Sequence, residues 1–108
     1  FVKMATTQAL FSIGQLVHHK RFDYRGVIFD VDPEFQGTEE WYSQMATSQP
    51  PKDRPWYHVL VNDGYSQTYV AEQNLESDKV GGPINHPEVR YWFEILTPDG
   101  YNIRMRKN

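Results

Sequence analysis

Cysteine is absent from this sequence of 108 residues. Its absence excludes disulfide bonds, zinc sites with thiolate ligands and cysteine nucleophiles. A chain without cysteine fits a reducing compartment, so we predict a cytoplasmic location.

Long apolar runs are also lacking, because the longest, such as VIF and VLV, have only a few residues. A membrane-spanning helix needs about 20 apolar residues, so we expect no membrane partner. An excess of positive charge is lacking too: eleven Lys and Arg stand against fourteen Asp and Glu, a net charge of −3. The chain as a whole repels polyanions, and contact with a nucleic acid requires a local basic patch.

Aromatic residues, by contrast, are abundant: seven Tyr, six Phe and three Trp make up 15% of the chain. Such a sequence can bury a core built on rings, and its length suits one small domain. We treat residues 1–10 as an N-terminal segment and residues 11–108 as the domain.

Four short segments have the alternation, or the β-branched and aromatic content, that is typical of strands. In the second of them, the period of two predicts that Val27, Phe29 and Val31 face the core together. The pair Asp63-Gly64 predicts a tight hairpin between the last two. The segments are QLVHHK (15–20), GVIFDVD (26–32), WYHVLVN (56–62) and QTYVAEQ (67–73).

A short helix is expected from residue 39 to about residue 46, because Thr38 is a suitable N-cap and Glu39 and Glu40 suit the positive end of a helix dipole. Three prolines in residues 47–55 then break the helical hydrogen bonds, and this segment is predicted to be an exposed loop.

The C-terminal part permits two interpretations. Val89, Trp92, Phe93 and Leu96 lie at helical spacing after Pro87, which favours a second helix, and an extended WFEIL segment is the alternative. YNIRM, after the turn at TPDG, would add a last strand. With four or five short strands and one or two small helices, the predicted fold class is mainly β, a small twisted barrel.

Enzymatic chemistry finds little support in the sequence. Asp30 and Asp32 would lie about 7 Å apart on one strand face, but a catalytic pair needs one carboxyl group in an apolar pocket, and a strand face that runs into Pro33 is expected to be wet. The histidines lack the spacing of zinc ligands, no serine lies in a nucleophile elbow, and Gly81-Gly82 is not followed by the lysine of a phosphate loop. We predict no catalytic residues, no metal, no cofactor and no enzymatic activity.

A basic stretch, HHKRFDYR (18–25), is the candidate nucleic-acid contact. Lys20, Arg21 and Arg25 offer charge to phosphates, and Phe22 and Tyr24 offer rings for stacking. The alternative is a solvated hairpin tip, which the neighbouring acidic residues favour. The cluster RMRK (104–107) adds charge if it folds nearby.

An aromatic group beside the proline-rich loop is the candidate protein contact. Trp41 and Tyr42 are predicted to anchor a protein partner, because exposed aromatic residues commonly carry such interfaces. The alternative is ordinary core, which we favour more for Trp56 than for Trp41.

Three strings give a specific resemblance to a known family: FSIGQLVHHKRFDYRGVIFDVDPEF (11–35), RPWYHVLVNDG (54–64) and YVAEQNL (69–75). Together they resemble the bacterial heat shock protein HspQ family, also described as hemimethylated DNA-binding or YccV-like proteins. The resemblance implies an SH3-like β-barrel and a non-enzymatic role in the stress response. It also implies two kinds of partner, a Lon-like ATP-dependent protease with its protein clients, and hemimethylated DNA. Self-association is left open, since an unpaired barrel edge can pair with a copy of itself.

Overall fold

The computed structural model describes residues 8–104, so most of the N-terminal segment and the last four residues, including most of the RMRK cluster, lie outside the described part. Within it, seven strands alternate with two short helices. The strands are β1 (Leu16–His19), β2 (Arg25–Asp32), β3 (Trp56–Val61), β4 (Gln67–Ala71), β5 (Leu75–Ser77), β6 (Phe93–Thr97) and β7 (Gly100–Ile103); the helices are α1 (Glu39–Met45) and α2 (Val89–Trp92), with a 3₁₀ turn at Glu72–Asn74.

Five strands form one antiparallel sheet in the order β4-β3-β2-β1-β5, and β6 and β7 form a separate antiparallel pair. The mainly β class is therefore confirmed. The predicted small SH3-like barrel is not supported, because the edge strands β4 and β5 do not pair with each other and the sheet stays open. No helix in residues 8–104 is long and apolar enough to cross a membrane.

Local signals place α1 and the central hairpin as predicted. The Thr38 hydroxyl accepts a hydrogen bond from the Trp41 N–H at 3.1 Å and caps α1. The Asp63 carboxylate accepts the N–H groups of Tyr65 and Ser66 at 2.9 and 2.8 Å and fixes the turn between β3 and β4. Both predictions are confirmed. They could be made from the sequence because each contact joins residues only two or three positions apart.

The predicted core face of β2 is right for Val27 and Phe29 but wrong for Val31, because a β-bulge lies between Ile28 and Asp30. The extra residue, Phe29, shifts the alternation, so that Ile28 and Val31 pack together in one cluster while Val27 and Phe29 pack in another. Ile28 is fully buried and Phe29 only partly so. The strand thus contributes apolar side chains to both faces of the sheet.

The apolar side chains form three clusters around the sheet. The inner cluster is formed by side chains from all five strands of the main sheet, the outer cluster lies under the C-terminal hairpin, and the third lies under α1. The buried members of the inner cluster are Val17, Ile28, Tyr57, Val59, Val70 and Leu75. Those of the outer cluster are Val27, Leu60, Ile84 and Phe93. Those of the third cluster are Ala46, Trp56 and Ala71.

Close backbone approach requires glycine where the C-terminal hairpin meets the sheet. Gly14 has a φ of +93°, and a Cβ atom at this position would collide with the carbonyl oxygen of Tyr101. The approach lets the Tyr101 N–H donate to the Gly14 carbonyl at 2.7 Å. This bond holds β7 against the start of the main sheet.

The helix expected from Pro87 through Leu96 is wrong beyond Trp92. It stops after α2, and residues 93–97 form β6, which is the extended alternative. The reason is tertiary: Phe93 is buried in the outer cluster, and the turn at Thr97 lets β6 pair with β7. Pairing with a later segment overrides the helical spacing.

We predict that Ile28→Ala lowers the free energy of unfolding by about 3 kcal/mol, because it opens a cavity in the inner cluster. The control is Val80→Ala, at a position 78% exposed, for which the loss should be about 0.5 kcal/mol or less. Denaturant unfolding of both variants measures the difference. Equal losses would contradict the burial of Ile28.

Candidate functional site

An open cleft of about 400 Å³ runs along β4. Its floor is the segment Gln67–Val70. One wall, which we name the outer wall, is formed by the rings of Phe29, His58, Tyr69 and Trp41. The opposite wall, the loop wall, comes from the connection between β1 and β2. The loop-wall residues that line the cleft are His19, Phe22 and Tyr24.

The outer wall is a continuous row of rings. Centroid distances are 5.8 Å between Phe29 and His58, 4.5 Å between His58 and Tyr69, and 5.6 Å between Tyr69 and Trp41. These separations are typical of packed aromatic pairs. The row is therefore preorganised and offers a rigid apolar surface to a ligand.

A hydrogen-bond network holds this row from behind. The Tyr69 hydroxyl donates to Asp32 Oδ2 at 2.6 Å, and His58 Nε2 lies 3.1 Å from the same oxygen. Burial raises the pKa of the Tyr69 hydroxyl, and the bond to Asp32 raises it further, so the hydroxyl stays protonated and donates. Asp32 thus orients two of the four rings.

Asp30, Asp32 and His58 converge more closely than the sequence suggested, since one ligand atom from each lies within 4.8 Å of the others. The bulge in β2 and the pairing of Asp30 with His58 bring them together. Both carboxylates already accept bonds: Asp32 from Tyr69, and Asp30 from the N–H of Val31 at 2.9 Å. Asp32 therefore supports the outer wall, whereas Asp30 is exposed and bonds only the adjacent backbone among the described contacts.

His19 shapes the loop wall. Its Nδ1 accepts the backbone N–H groups of Arg21 and Phe22 at 3.1 and 3.0 Å, and its ring stacks on Phe22 with a centroid distance of 4.7 Å. Burial lowers the pKa of this imidazole, which suits a neutral ring that accepts at Nδ1. Sequence reasoning missed this role, because nothing local distinguishes His19 from His18.

The structure separates the three predicted nucleic-acid contacts. Lys20 and Arg21 are exposed at the turn after β1, and the Arg21 guanidinium lies 5.9 Å from the centre of the Phe22 ring. Arg25 points elsewhere: it bonds Asp78 at 3.1 Å and the carbonyls of residues 81 and 82 at 2.7 and 2.8 Å. A nucleic-acid role for these residues stays a prediction. Of the three side chains, those of Lys20 and Arg21 are exposed and can reach a phosphate.

Acidic side chains compensate much of the nearby charge. His18 bonds Asp23 at 2.6 Å and Glu76 at 2.8 Å, and both contacts raise the pKa of its imidazole. The basic stretch is therefore a mixed surface rather than a continuous positive patch. Arg104, the one described residue of the RMRK cluster, donates to the carbonyls of Arg90 and Phe93.

The two predicted protein contacts also differ in placement. Trp41 is half-buried and belongs to the outer wall, whereas the Tyr42 hydroxyl donates to the Pro50 carbonyl at 2.7 Å and ties α1 to the proline-rich loop. Trp56, by contrast, is 1% exposed and belongs to the core. Protein binding at Trp41 and Tyr42 stays a prediction.

We predict that Asp78→Asn lowers the free energy of unfolding by about 3 kcal/mol at neutral pH, because it leaves Arg25 half-enclosed without its counter-ion. Burial alone would raise the pKa of Asp78, but the bonds from Arg25 and from backbone N–H groups lower it below 3.8. A carboxyl group whose pKa is lower in the folded than in the unfolded state stabilises the folded protein at pH values above the unfolded pKa. This contribution is lost as the pH falls through the folded pKa. The gap between wild type and variant should therefore shrink below about pH 4 in denaturant unfolding. A gap that does not change with pH would contradict the ion pair.

Comparison with known proteins agrees with the strings noted above. A family model described as "Hemimethylated DNA-binding protein YccV like" matches residues 9–99. F-box only protein 21 from Homo sapiens, Pongo abelii and Mus musculus is 38% identical over 93 residues, which cover 84% of this chain. The aligned part spans only 15% of those relatives. Since the family match includes the main sheet and both walls of the cleft, the chain belongs to the YccV-like family of hemimethylated DNA-binding proteins.

Proposed function

We propose that this chain is a non-enzymatic, cytoplasmic regulator that binds proteins through the cleft along β4. In this role it would bring certain damaged or unstable clients to a Lon-like ATP-dependent protease. The observation that carries the proposal is the cleft itself, an open apolar channel between two aromatic walls.

The rim of the cleft has the composition of a protein interface. Phe22 on the loop wall is 68% exposed, and Met45 on α1 is 63% exposed. Large apolar side chains in such a position are costly in water and gain free energy when a partner covers them. Aromatic residues and methionine are enriched at interfaces because they supply much contact area for few rotatable bonds.

The polar groups of the cleft support a binding role rather than catalysis. Asp32, His58 and Tyr69 bond one another and hold rings, and His19 accepts backbone N–H groups. These bonds hold the rings of the outer wall and the loop of the other wall in place. The polar groups thus fix the shape of the cleft.

Hemimethylated DNA is the second candidate partner, and the description of the family favours it. Lys20 and Arg21 are exposed beside Phe22, which places charge next to a ring that can stack on a base. Two cations displace about two counterions from DNA, a small contribution for a chain with a net charge of −3. Protein binding therefore ranks first.

We predict that Phe22→Ala weakens stimulation of client degradation by a purified Lon-type protease about tenfold, because it removes an exposed anchor without opening the core. Tyr65→Ala is the matched control, since Tyr65 is 80% exposed and lies outside the cleft. Degradation rates measured against regulator concentration give the comparison. If the two variants stimulate equally, the cleft is not the binding surface.

For DNA, we predict that replacing Lys20 and Arg21 together by Ala reduces the salt slope of duplex binding by about two. Replacing Arg54 and Lys79 together removes the same charge elsewhere and is the control. Arg25 is omitted because its loss would disturb the segment around Asp78. Unmethylated, hemimethylated and fully methylated duplexes, each at two salt concentrations, test methylation preference. If both double variants lower the salt slope equally, the DNA interaction is a non-specific electrostatic attraction that does not depend on Lys20 and Arg21.

A further inference from the structure

The edge of β4 is open in a defined pattern. Among residues 8–104 the strand pairs with β3 alone. At its two ends, Val61 N–H donates to the Ser66 carbonyl at 2.9 Å and Glu72 N–H donates to the Pro55 carbonyl at 3.1 Å. Hydrogen bonding alternates along an antiparallel pair, so the N–H and C=O groups of Gln67 and Tyr69 point away from β3.

The cleft lies on this open side. Gln67 and Tyr69 form part of its floor, and no backbone bond joins their outward groups to another described residue. The space beside the unpaired groups is therefore flanked by the outer wall on one side and the loop wall on the other. A strand edge between two apolar walls matches the shape of a further extended chain.

Nothing on β4 protects this edge. Its sequence, QTYVA, has no charged residue and no proline, the usual means by which proteins prevent pairing at an edge. The opposite edge is different, since β5 has only three residues and includes Glu76. The contrast indicates that β4 is an edge kept available for pairing.

We propose that an extended segment of a partner protein adds to β4 as a further strand of the main sheet. Its backbone would bond the outward groups of Gln67 and Tyr69. Its side chains would alternate, one set against Phe29, His58 and Trp41 and the other set against Phe22 and Tyr24. This mode of binding rests on the proposed protein-binding function and specifies the class of partner: a segment with apolar residues at every second position.

Charge adds a second requirement on the segment. A smaller recess of about 70 Å³ shares Phe22 and Trp41 with the cleft and is lined by Arg21 and Ala71, at the C-terminal end of β4. The Arg21 side chain has no carboxylate partner among the described residues. The segment therefore carries an acidic residue where it passes this end.

A second copy of this chain fits the edge less well. In a second copy, Phe22 and Met45 also protrude beside the edge of β4. When the two β4 strands paired, the walls of one copy would therefore meet the walls of the other. A single extended segment has no such flanks. The walls therefore favour a thin occupant over a whole domain.

The test uses peptides selected from a displayed random library against the intact chain. Affinity of the tightest peptide is measured for wild type, Gln67→Ala and Gln67→Pro by titration, after circular dichroism shows that each variant is folded. Proline removes the outward N–H and blocks the edge, whereas alanine removes only the side chain. We expect the proline variant to bind at least about tenfold more weakly than the alanine variant.

A second measurement leaves the protein unchanged. N-methylation of the selected peptide at every second residue removes alternate backbone donors. We expect methylation in one register to weaken binding about tenfold and in the other register to have little effect. This pattern requires a paired strand and does not depend on the folding of the proline variant.

Four outcomes would overturn the inference in distinguishable ways. If Phe22→Ala abolishes peptide binding while Gln67→Pro and both methylated peptides bind normally, the cleft binds proteins but not by strand pairing. Selected peptides that ignore both Phe22 and Gln67 would remove the proposed function as well. Wild-type self-association that Gln67→Pro abolishes would assign the edge to a second copy. Selected peptides without apolar alternation or an acidic residue would contradict the wall and Arg21 contacts.

Discussion

The burial of β3 on both faces is the constraint on which the rest of the structure depends. Tyr57 and Val59 are fully buried on one face, and Trp56 and Leu60 are buried on the other. A strand with two apolar faces needs a cover on each side. Side chains from the other four strands of the main sheet cover the inner face, while α1 and the C-terminal hairpin share the outer one.

The position of the candidate site follows from this division. α1 covers the Trp56 end of β3, and the C-terminal hairpin covers the Leu60 end. Between them lies His58, which pairs with Tyr69 and packs against its ring. The outer wall thus lies between two covers, with Trp41 of α1 at one end and Phe29, which packs on Trp92 of α2, at the other. The hydrogen bonds to Asp32 hold its middle part, His58 and Tyr69.

Electrostatics then limits which partners suit the surface. Arg25 and Asp78 bond each other, and His18 bonds two carboxylates, so much of the charge near β1 is neutralised within the chain. Charge that is already paired contributes little to long-range attraction of DNA. An apolar cleft beside Arg21, whose side chain has no carboxylate partner within residues 8–104, favours a partner recognised mainly by shape and burial.

The sequence by itself determined what depends on neighbouring residues and on recognisable strings. The cap at Thr38, the turn at Asp63-Gly64, the main strands and the family were all predictable, since each signal lies within a short segment. Contacts between distant segments decided the rest. The bulge at Phe29 depends on pairing with β3, β6 replaces a helix because it pairs with β7, and Arg25 meets an aspartate 53 residues away. The cleft is likewise assembled from four parts of the chain, and no local pattern encodes such an arrangement because its free energy comes from packing between elements.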